Sequence, residues 1–395
     1  MNICWNELTT LFLRIGLLGF GGPQAHIAMM REEIVETRAW VSIEQFEEGL
    51  GLCETLPGPA SSQMAIYLGW LRGGVLGGLI SGICFLLPGL LIVLLLSELW
   101  RNGQAIPSFT TAIATLQPVI AAIIWAFAWK LMHQRKARWQ RFTAGLVMLG
   151  VLLSMTAVLS MPAGLLLLLA GLARVVMQPP KSPPPQGSAE SSAAVVAPWF
   201  MAIAPWGLTA HGLLSQLFGL FFQTGLLVFG GGLVIIPLLE QQVVQQGWLT
   251  AAQFLDGVAI GQISPGPVVL TSAFIGYQAG WIQGGAPMAL SGGLVATVAM
   301  FLPSFLFILI GTPLLQRLRQ QQRVKIFLGG LLAGVPGAVA ATALSLTVTA
   351  LQAGNIAIQL PLFTTSLWLS CRGQAKPLPL ISAALLIGVI LEQVS

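Results

Sequence analysis

LPGPASSQMAIYLGW at residues 56–70 and GQISPGPVVLTSAF at residues 261–274 decide the fold, because each sets a Pro-Gly-Pro inside an apolar run. A helix cannot continue through such a triplet: proline lacks the backbone donor and its ring clashes with the preceding turn. Where the surroundings are lipid, the freed N–H and C=O groups have no solvent, so the break survives only against protein or a water-filled cavity. Two interrupted helices with hydroxyl residues beside the break therefore point inward, to a pathway.

The surroundings are lipid. Of 395 residues 55% are hydrophobic and 8% charged, and the mean hydropathy is +0.84. A soluble domain would be near a quarter charged. At about 20 residues per crossing the chain supplies on the order of ten crossings or half-crossings. The fold class is an all-α polytopic membrane protein, and the 45 glycines and 24 prolines are too many for simple anchoring helices.

A second pair of breaks lies upstream of each Pro-Gly-Pro. At an offset of 208 or 209, Phe20-Gly21-Gly22 meets Phe229-Gly230-Gly231, Glu32 meets Glu240, Trp40 meets Trp248, Phe46 meets Phe254, and residues 57–59 meet 265–267. After a seven-residue insertion Leu87-Pro88 meets Leu302-Pro303. This is an internal duplication. Between the copies QPPKSPPPQGSAESSAAVVA reads as an exposed linker, which divides the chain into repeats 1–177 and 199–395 joined by 178–198. The remaining apolar runs are 73–100, 107–131, 141–157 and 160–176 in the first repeat, and 284–316, 326–350, 355–371 and 377–392 in the second. Residues 8–20 and 216–229 are too short for a comfortable crossing and read as half-helices or re-entrant segments.

Charge sets the orientation. Lys130, Arg135, Lys136, Arg138 and Arg141 form the densest basic loop and belong in the cytoplasm. In the second repeat the basic loop is Arg317, Arg319, Arg323 and Lys325, one crossing out of phase, and no Lys or Arg occurs between Lys181 and Arg317. We read an inverted-topology repeat, with residues 199–217 as the extra crossing it requires.

Paired broken helices at matching positions are the best sequence pointer to a midplane substrate site. The second half of a broken helix presents free N–H groups and a partial positive charge, which suit an anion. Gly21, Gly22, Gly230 and Gly231 permit tight turns and close ligand approach, and Pro23 is tolerated in a first helical turn. Ser61, Ser62 and Ser264 place hydroxyls beside Pro57-Gly58-Pro59 and Pro265-Gly266-Pro267, so these residues form a candidate oxyanion cradle. For a single motif, close helix packing explains the small residues equally well; recurrence at one offset favours the cradle. His26, one turn past Pro23, is a further donor or a packing histidine. Intramembrane carboxyls are costly and functional by default, which makes Glu32, Glu54, Glu240 and Asp256, the one aspartate, candidates for a coupling proton; Glu32 has an interfacial reading too, amid Arg31, Glu33, Glu36 and Arg38. Arg14 either lines the path or snorkels. Trp40, Trp100, Trp199 and Trp248 read as interfacial anchors.

Other classes fit worse. No basic stripe suits nucleic acid. Cys4, Cys53, Cys84 and Cys371 are scattered, so neither a metal centre nor a cofactor is expected. The N-terminus lacks the pattern of a cleaved signal. A membrane hydrolase using Ser61 or Ser62 with His26 would need one half only, and a passive channel would not saturate.

At FGGPQAHIAMM (20–30), TRAW (37–40), LPGPASSQMAIYLGW (56–70) and ICFLLPG (83–89), the chain resembles the chromate ion transporter family in its long, two-domain form. In the second half the resemblance rests on FGGGLVIIPLLE (229–240), GWLTAAQFLDGVAIGQISPGP (247–267) and FIGYQAG (274–280). It implies a duplicated, antiparallel protein of the plasma membrane that expels chromate, driven by membrane potential or proton gradient, and that works without a catalytic residue. The family's FGGP-x-x-H element falls on Phe20, Gly21, Gly22, Pro23 and His26. Where relatives often carry basic residues before Gly-Trp, this chain is Gln-rich at 241–246. The expected partners are the oxyanion and the lipid bilayer, with self-association into a homo-oligomer left open. A permease for sulfate or another tetrahedral oxyanion is the alternative, since shape separates chromate from sulfate poorly.

Overall fold

The computed structural model describes residues 5–156, 161–178, 212–228, 232–310, 322–373 and 377–394; residues 199–211 of the expected extra crossing and the break at 229–231 lie outside them, as does most of the linker. Among the described residues there is no strand, and every regular element is helical. Among the described residues four helices are long and apolar enough to cross a bilayer: Ala60–Gly103, Pro107–His133, Val268–Leu309 and Lys325–Gln352. Shorter apolar helices lie at Ala163–Met177, Leu213–Leu227, Gly232–Gln245, Ile356–Cys371 and Pro377–Gln393.

The chain forms two compact units, and each draws segments from both halves of the sequence. The first comprises Met1–Leu94, Lys181–Gly232 and Ser264–Lys325. Here α1 (Trp5–Leu18) stops at the glycines, and α2 (Pro23–Arg31) restarts with Pro23 in its first turn and Gly22 as N-cap at φ +87°. α2 runs on into a π-helical turn, Glu32–Thr37, then ends at Arg38. α3 (Ile43–Thr55) begins with a Ser42/Gln45 capping box, which satisfies two otherwise unpaired N–H groups, and leads into Pro57-Gly58-Pro59.

α4 (Ala60–Gly103) is two helices. Gly73 (φ −138°, ψ 22°) and Gly74 (φ +61°, ψ −153°) fold a short arm, 60–72, back against a long arm, 75–103. The arms touch backbone to backbone: a Cβ on Gly69 would come 2.5 Å from the Gly77 carbonyl oxygen, and one on Gly77 2.3 Å from that of Gly69. Ser81 Oγ donates across the hairpin to the Ala65 carbonyl at 2.8 Å. The short arm spans about 20 Å at about 1.5 Å per residue, less than a hydrocarbon core of about 30 Å, so it is too short to cross a bilayer by itself.

The same device recurs in the second half. α8 (Leu213–Leu227) ends at the second glycine break, and α11 (Thr271–Leu309) follows a 3-10 turn at Val268–Leu270. α11 is broken at Gly284 (φ −155°, ψ 23°) and Gly285 (φ +65°, ψ −157°), almost the same pair of conformations. Its arms meet at Gly276 and Gly292, each of which leaves room for the other's carbonyl. Exposed Leu79, Ile83, Leu87, Leu91, Leu95 and Leu99 recur every four residues along α4, a stripe one helix face wide that suits lipid.

The second unit comprises Leu95–Pro180, Leu233–Ile263 and Ile326–Ser395. It contains α5 (Pro107–His133), α6 (Arg138–Met155), α7 (Ala163–Met177), α9 (Ile235–Gln245), α10 (Ala251–Ile263), most of α12 (Gln322–Gln352), α13 (Ile356–Cys371) and α14 (Pro377–Val394). α5 packs against α10, α13 and α14. Small residues set the closeness: Gly388 rests on Ala112, and Gly337 on Ala144. Interhelical hydrogen bonds join Thr115 Oγ1 to the Ala384 carbonyl (3.0 Å), Gln359 Nε2 to the Ala114 carbonyl (3.1 Å) and Trp125 Nε1 to Thr347 Oγ1 (3.0 Å).

Candidate oxyanion site

The two kinds of break meet in the first unit. The Gly58 N–H donates to the Val228 carbonyl at 2.7 Å, and the Gly266 N–H donates to the Gly19 carbonyl at 2.9 Å. Gly58 and Gly266 are matched positions, as are Gly19 and Val228, so each half's Pro-Gly-Pro glycine caps the helix end of the other half. The exchange gives two helix C-terminal carbonyls a backbone donor from the other half. Positive φ at Gly58 (+123°) and Gly266 (+88°) aims the N–H groups this way. The C-terminal ends at this junction are thus occupied.

The hydroxyls beside the turns divide into two groups. Ser62 Oγ donates back to the Pro59 carbonyl (2.9 Å), and Thr271 Oγ1 does the same to Val268 (2.8 Å), so both serve their own first turns. Ser61 and Ser272 are fully buried, and among the described residues neither Oγ has a hydrogen-bond partner. Ser264 is buried and belongs to neither group. A buried polar atom without a partner costs free energy and calls for a ligand, an ion or a water.

His26 is fully buried, its Nε2 lies 2.9 Å from the Gly19 carbonyl, and its ring meets Phe85 edge-on. Since a carbonyl only accepts, Nε2 carries a proton, and Nδ1 has no partner among the described residues. Gly19 therefore receives both His26 and Gly266, and the imidazole acts as a staple across the glycine break. No hydrogen bond joins His26 to Ser61 or Ser62.

The four carboxyls separate. Glu32 and Glu54 are exposed, whereas Glu240 on α9 and Asp256 on α10 are buried in the second unit. Asp256 accepts from Trp100 Nε1 (3.1 Å) and Gln117 Nε2 (2.9 Å). Among the described residues neither Glu240 nor Asp256 has a cationic partner within ion-pair distance. Trp100 and Trp248 are 5% and 6% exposed, which corrects their reading as interfacial anchors. Amphipathic indole rings suit a headgroup layer, but the Trp100 N–H is spent on Asp256. Trp40 keeps a surface position between the guanidinium groups of Arg38 and Arg72. Arg14 pairs with Glu33 at 3.3 Å and is mostly exposed.

Sequence reasoning missed Gln63, Ser304, Trp100 and Gln117. Gln63 and Ser304 are fully buried, and Gln63 Oε1 and Ser304 Oγ have no partner. The only signal for them was polar residues inside apolar helices, which sequence alone does not separate from surface positions.

A chain whose described residues are all helical or connecting, with several apolar spans and two helical hairpins, is a multi-pass membrane protein. The chain belongs to the chromate transporter family: the family's sequence model matches residues 6–175 and again 215–389. It is 33% identical to a probable chromate transport protein of Synechococcus elongatus over 85% of this chain and 82% of that one. It is 32% identical to chromate transport proteins of Pseudomonas aeruginosa (91% and 86% covered) and Cupriavidus metallidurans (97% and 92% covered). No solved structure matches it.

Proposed function

We propose that this protein carries chromate out of the cytoplasm across the plasma membrane, with the anion held at the paired breaks around Gly58 and Gly266. The observation that carries the reading is the reciprocal pair of hydrogen bonds, Gly58 to Val228 and Gly266 to Gly19. They join each Pro-Gly-Pro turn to the helix end of the other half, and Ser61 and Ser272 beside those turns are buried with no partner for Oγ among the described residues. Backbone N–H groups there, with Ser61 and the turns at 21–23, 57–59 and 264–267, bind the oxyanion without a buried cation. The halves are inverted repeats that rock about this junction to open it to either side in turn. Glu240 and Asp256, the two buried carboxyls, are the sites for any coupling proton; Glu32 and Glu54, being exposed, contribute less.

Direction follows from electrostatics. At about 100 mV, negative inside, each expelled negative charge is favoured by about 2.3 kcal/mol and a dianion by about 4.6 kcal/mol, a concentration ratio of about 10³. Efflux needs no further coupling. The test is uptake of radiolabelled chromate into everted vesicles containing the protein, with and without an imposed potential. Saturable, potential-driven accumulation is expected. No accumulation in either orientation by folded protein overturns the reading.

A further inference from the structure

We infer that the turn between α5 and α6 is a docking surface for an anionic phospholipid, its phosphate among Lys130, Arg135, Lys136, Arg138, Arg141 and Arg174 and an acyl chain along α6. α5 is long and apolar enough to span the bilayer and ends at His133, so the turn at 134–137 lies at a membrane face. The six cations gather there from α5, the turn, α6 and α7. Arg141 Nη2 donates to the Lys136 carbonyl at 3.1 Å. Arg174, in the last turn of α7, sets its guanidinium carbon 3.7 Å from the centre of the Trp139 ring. Lys130, Lys136, Arg138 and Arg141 are exposed. Arg135 is half-buried, and its Nε is sealed from solvent without a hydrogen-bond partner among the described residues.

This positive charge has no anion of its own. No Asp or Glu occurs between Glu98 and Glu190, and the ion pairs among the described residues include none of the six cations. α6 adds to the excess. Its first turn holds Arg138 and Arg141 and no acidic residue, and Ala137 offers no side-chain cap, so cations stand at the positive end of the helix dipole. A topology signal needs only positive charge near the ends of a span; cations converging from three helices onto one turn go further. The apolar side says what the anion is attached to. Phe142, Leu146, Leu149 and Leu153 are exposed and follow Arg138 at steps of three or four residues, which places them below it on one helix face. A Cβ on Gly145 beside them would meet nothing within 4 Å, so among the described residues nothing covers the face there. Exposed Trp129, stacked on His133 at 4.3 Å, adds an indole at headgroup level. A free phosphate would use the cations and leave the stripe idle, whereas a phospholipid uses both. A cluster of about four to eight Lys and Arg beside a span attracts anionic lipid for the same electrostatic reason.

The test is native mass spectrometry of the purified full-length protein titrated with phosphatidylglycerol and with phosphatidylcholine. It compares wild type, Arg138→Gln, the double variant Arg138→Gln/Arg141→Gln, and Arg372→Gln. Arg372 is the control, an exposed cation just past α13 that stacks on Trp368. Each cation near a lipid surface is worth about fivefold in affinity. Wild type should therefore prefer phosphatidylglycerol at least about thirtyfold, Arg138→Gln should lose about fivefold of that preference, and the double variant about thirtyfold. Binding of phosphatidylcholine should be unchanged throughout, and Arg372→Gln should change neither lipid. Equal binding of the two lipids by wild type, or a preference that the double variant keeps, overturns the inference and leaves a topology signal only. Displacement of phosphatidylglycerol by inorganic phosphate overturns it too, since the ligand is then a free anion. If the double variant does not elute as a folded species, Arg138→Gln against Arg372→Gln decides, together with wild type in high salt. There the preference should collapse by screening, and its persistence overturns the inference. None of these outcomes depends on chromate, so the lipid surface stands or falls apart from the proposed transport.

Discussion

Both turns hold their glycine at positive φ, +123° at Gly58 and +88° at Gly266, so a side chain is strained at either; a methyl group on Gly58 would in addition have to share space with Ser304 Oγ and Gln63 Nε2, whereas one on Gly266 would meet the movable end of Leu270 at 3.3 Å. Gly58→Ala therefore either swings Gln63 away from Pro57 or shifts the turn and its bond to Val228. We predict that Gly58→Ala lowers chromate transport at least about tenfold while Gly266→Ala keeps more of it, the difference being about 1.4 kcal/mol or more. Vesicle rates normalised to inserted protein measure this, and equal losses would contradict it. Gly58 and its partner were legible as a repeated motif. Gln63 was not: a glutamine among Ser62, Met64 and Ala65 has no spacing that marks it, and its meaning comes from complete burial with Oε1 unpaired. His26 was legible as a candidate but not in its role, because the carbonyl that receives it is seven residues upstream, across a glycine turn.

At the scale of the element, the hairpin of α4 depends on a contact that only glycine allows. A side chain on Gly69 would start 1.9 Å from Ser81 Oγ and 2.5 Å from the Gly77 carbonyl. Gly69→Leu should separate the arms and destabilise the protein by about 1–3 kcal/mol, the usual cost of overpacking. A lowered thermal midpoint in detergent and a new proteolytic cut near residue 74 would report it, and an unchanged midpoint would mean the arms are not held by this contact. The expected runs beginning at 73 and 284 coincide with the long arms, because uninterrupted apolarity is a strong local signal. That 60–72 folds back onto 75–103 was not legible. Its apolar residues fit a straight crossing as well as a hairpin, and the choice is made by the Gly69–Gly77 approach and the Ser81 hydrogen bond.

For the whole molecule, inverted topology makes a claim about sides. Val75 and Ala286 each follow a Gly-Gly turn and are exposed. With the four native cysteines replaced, Val75→Cys and Ala286→Cys should label with an impermeant thiol reagent from opposite faces of the membrane. Labelling of both from one face would exclude an inverted repeat. The compact units also cut across the halves, since α2 and α3 belong to the first unit whereas α9 and α10, which follow the second glycine break, belong to the other. The duplication is visible in sequence because it needs only self-comparison. Its division between units is not, because it depends on which long-range contacts form.

The sequence by itself determined the membrane class, the positions of the breaks and their recurrence, since these follow from apolar run length and from the inability of Pro-Gly-Pro to stay helical. It also carried the family. Only the tertiary structure decided which polar groups are spent and which remain: Ser62 on its own turn, His26 on Gly19, Gln63 Nε2 on Pro57, Trp100 and Gln117 on Asp256, with Ser61 Oγ, Gln63 Oε1 and Ser304 Oγ left buried without a partner among the described residues. A hydrogen bond between residues tens or hundreds of positions apart leaves no local trace, because its cost and gain are set by burial, and burial is a property of the packed chain.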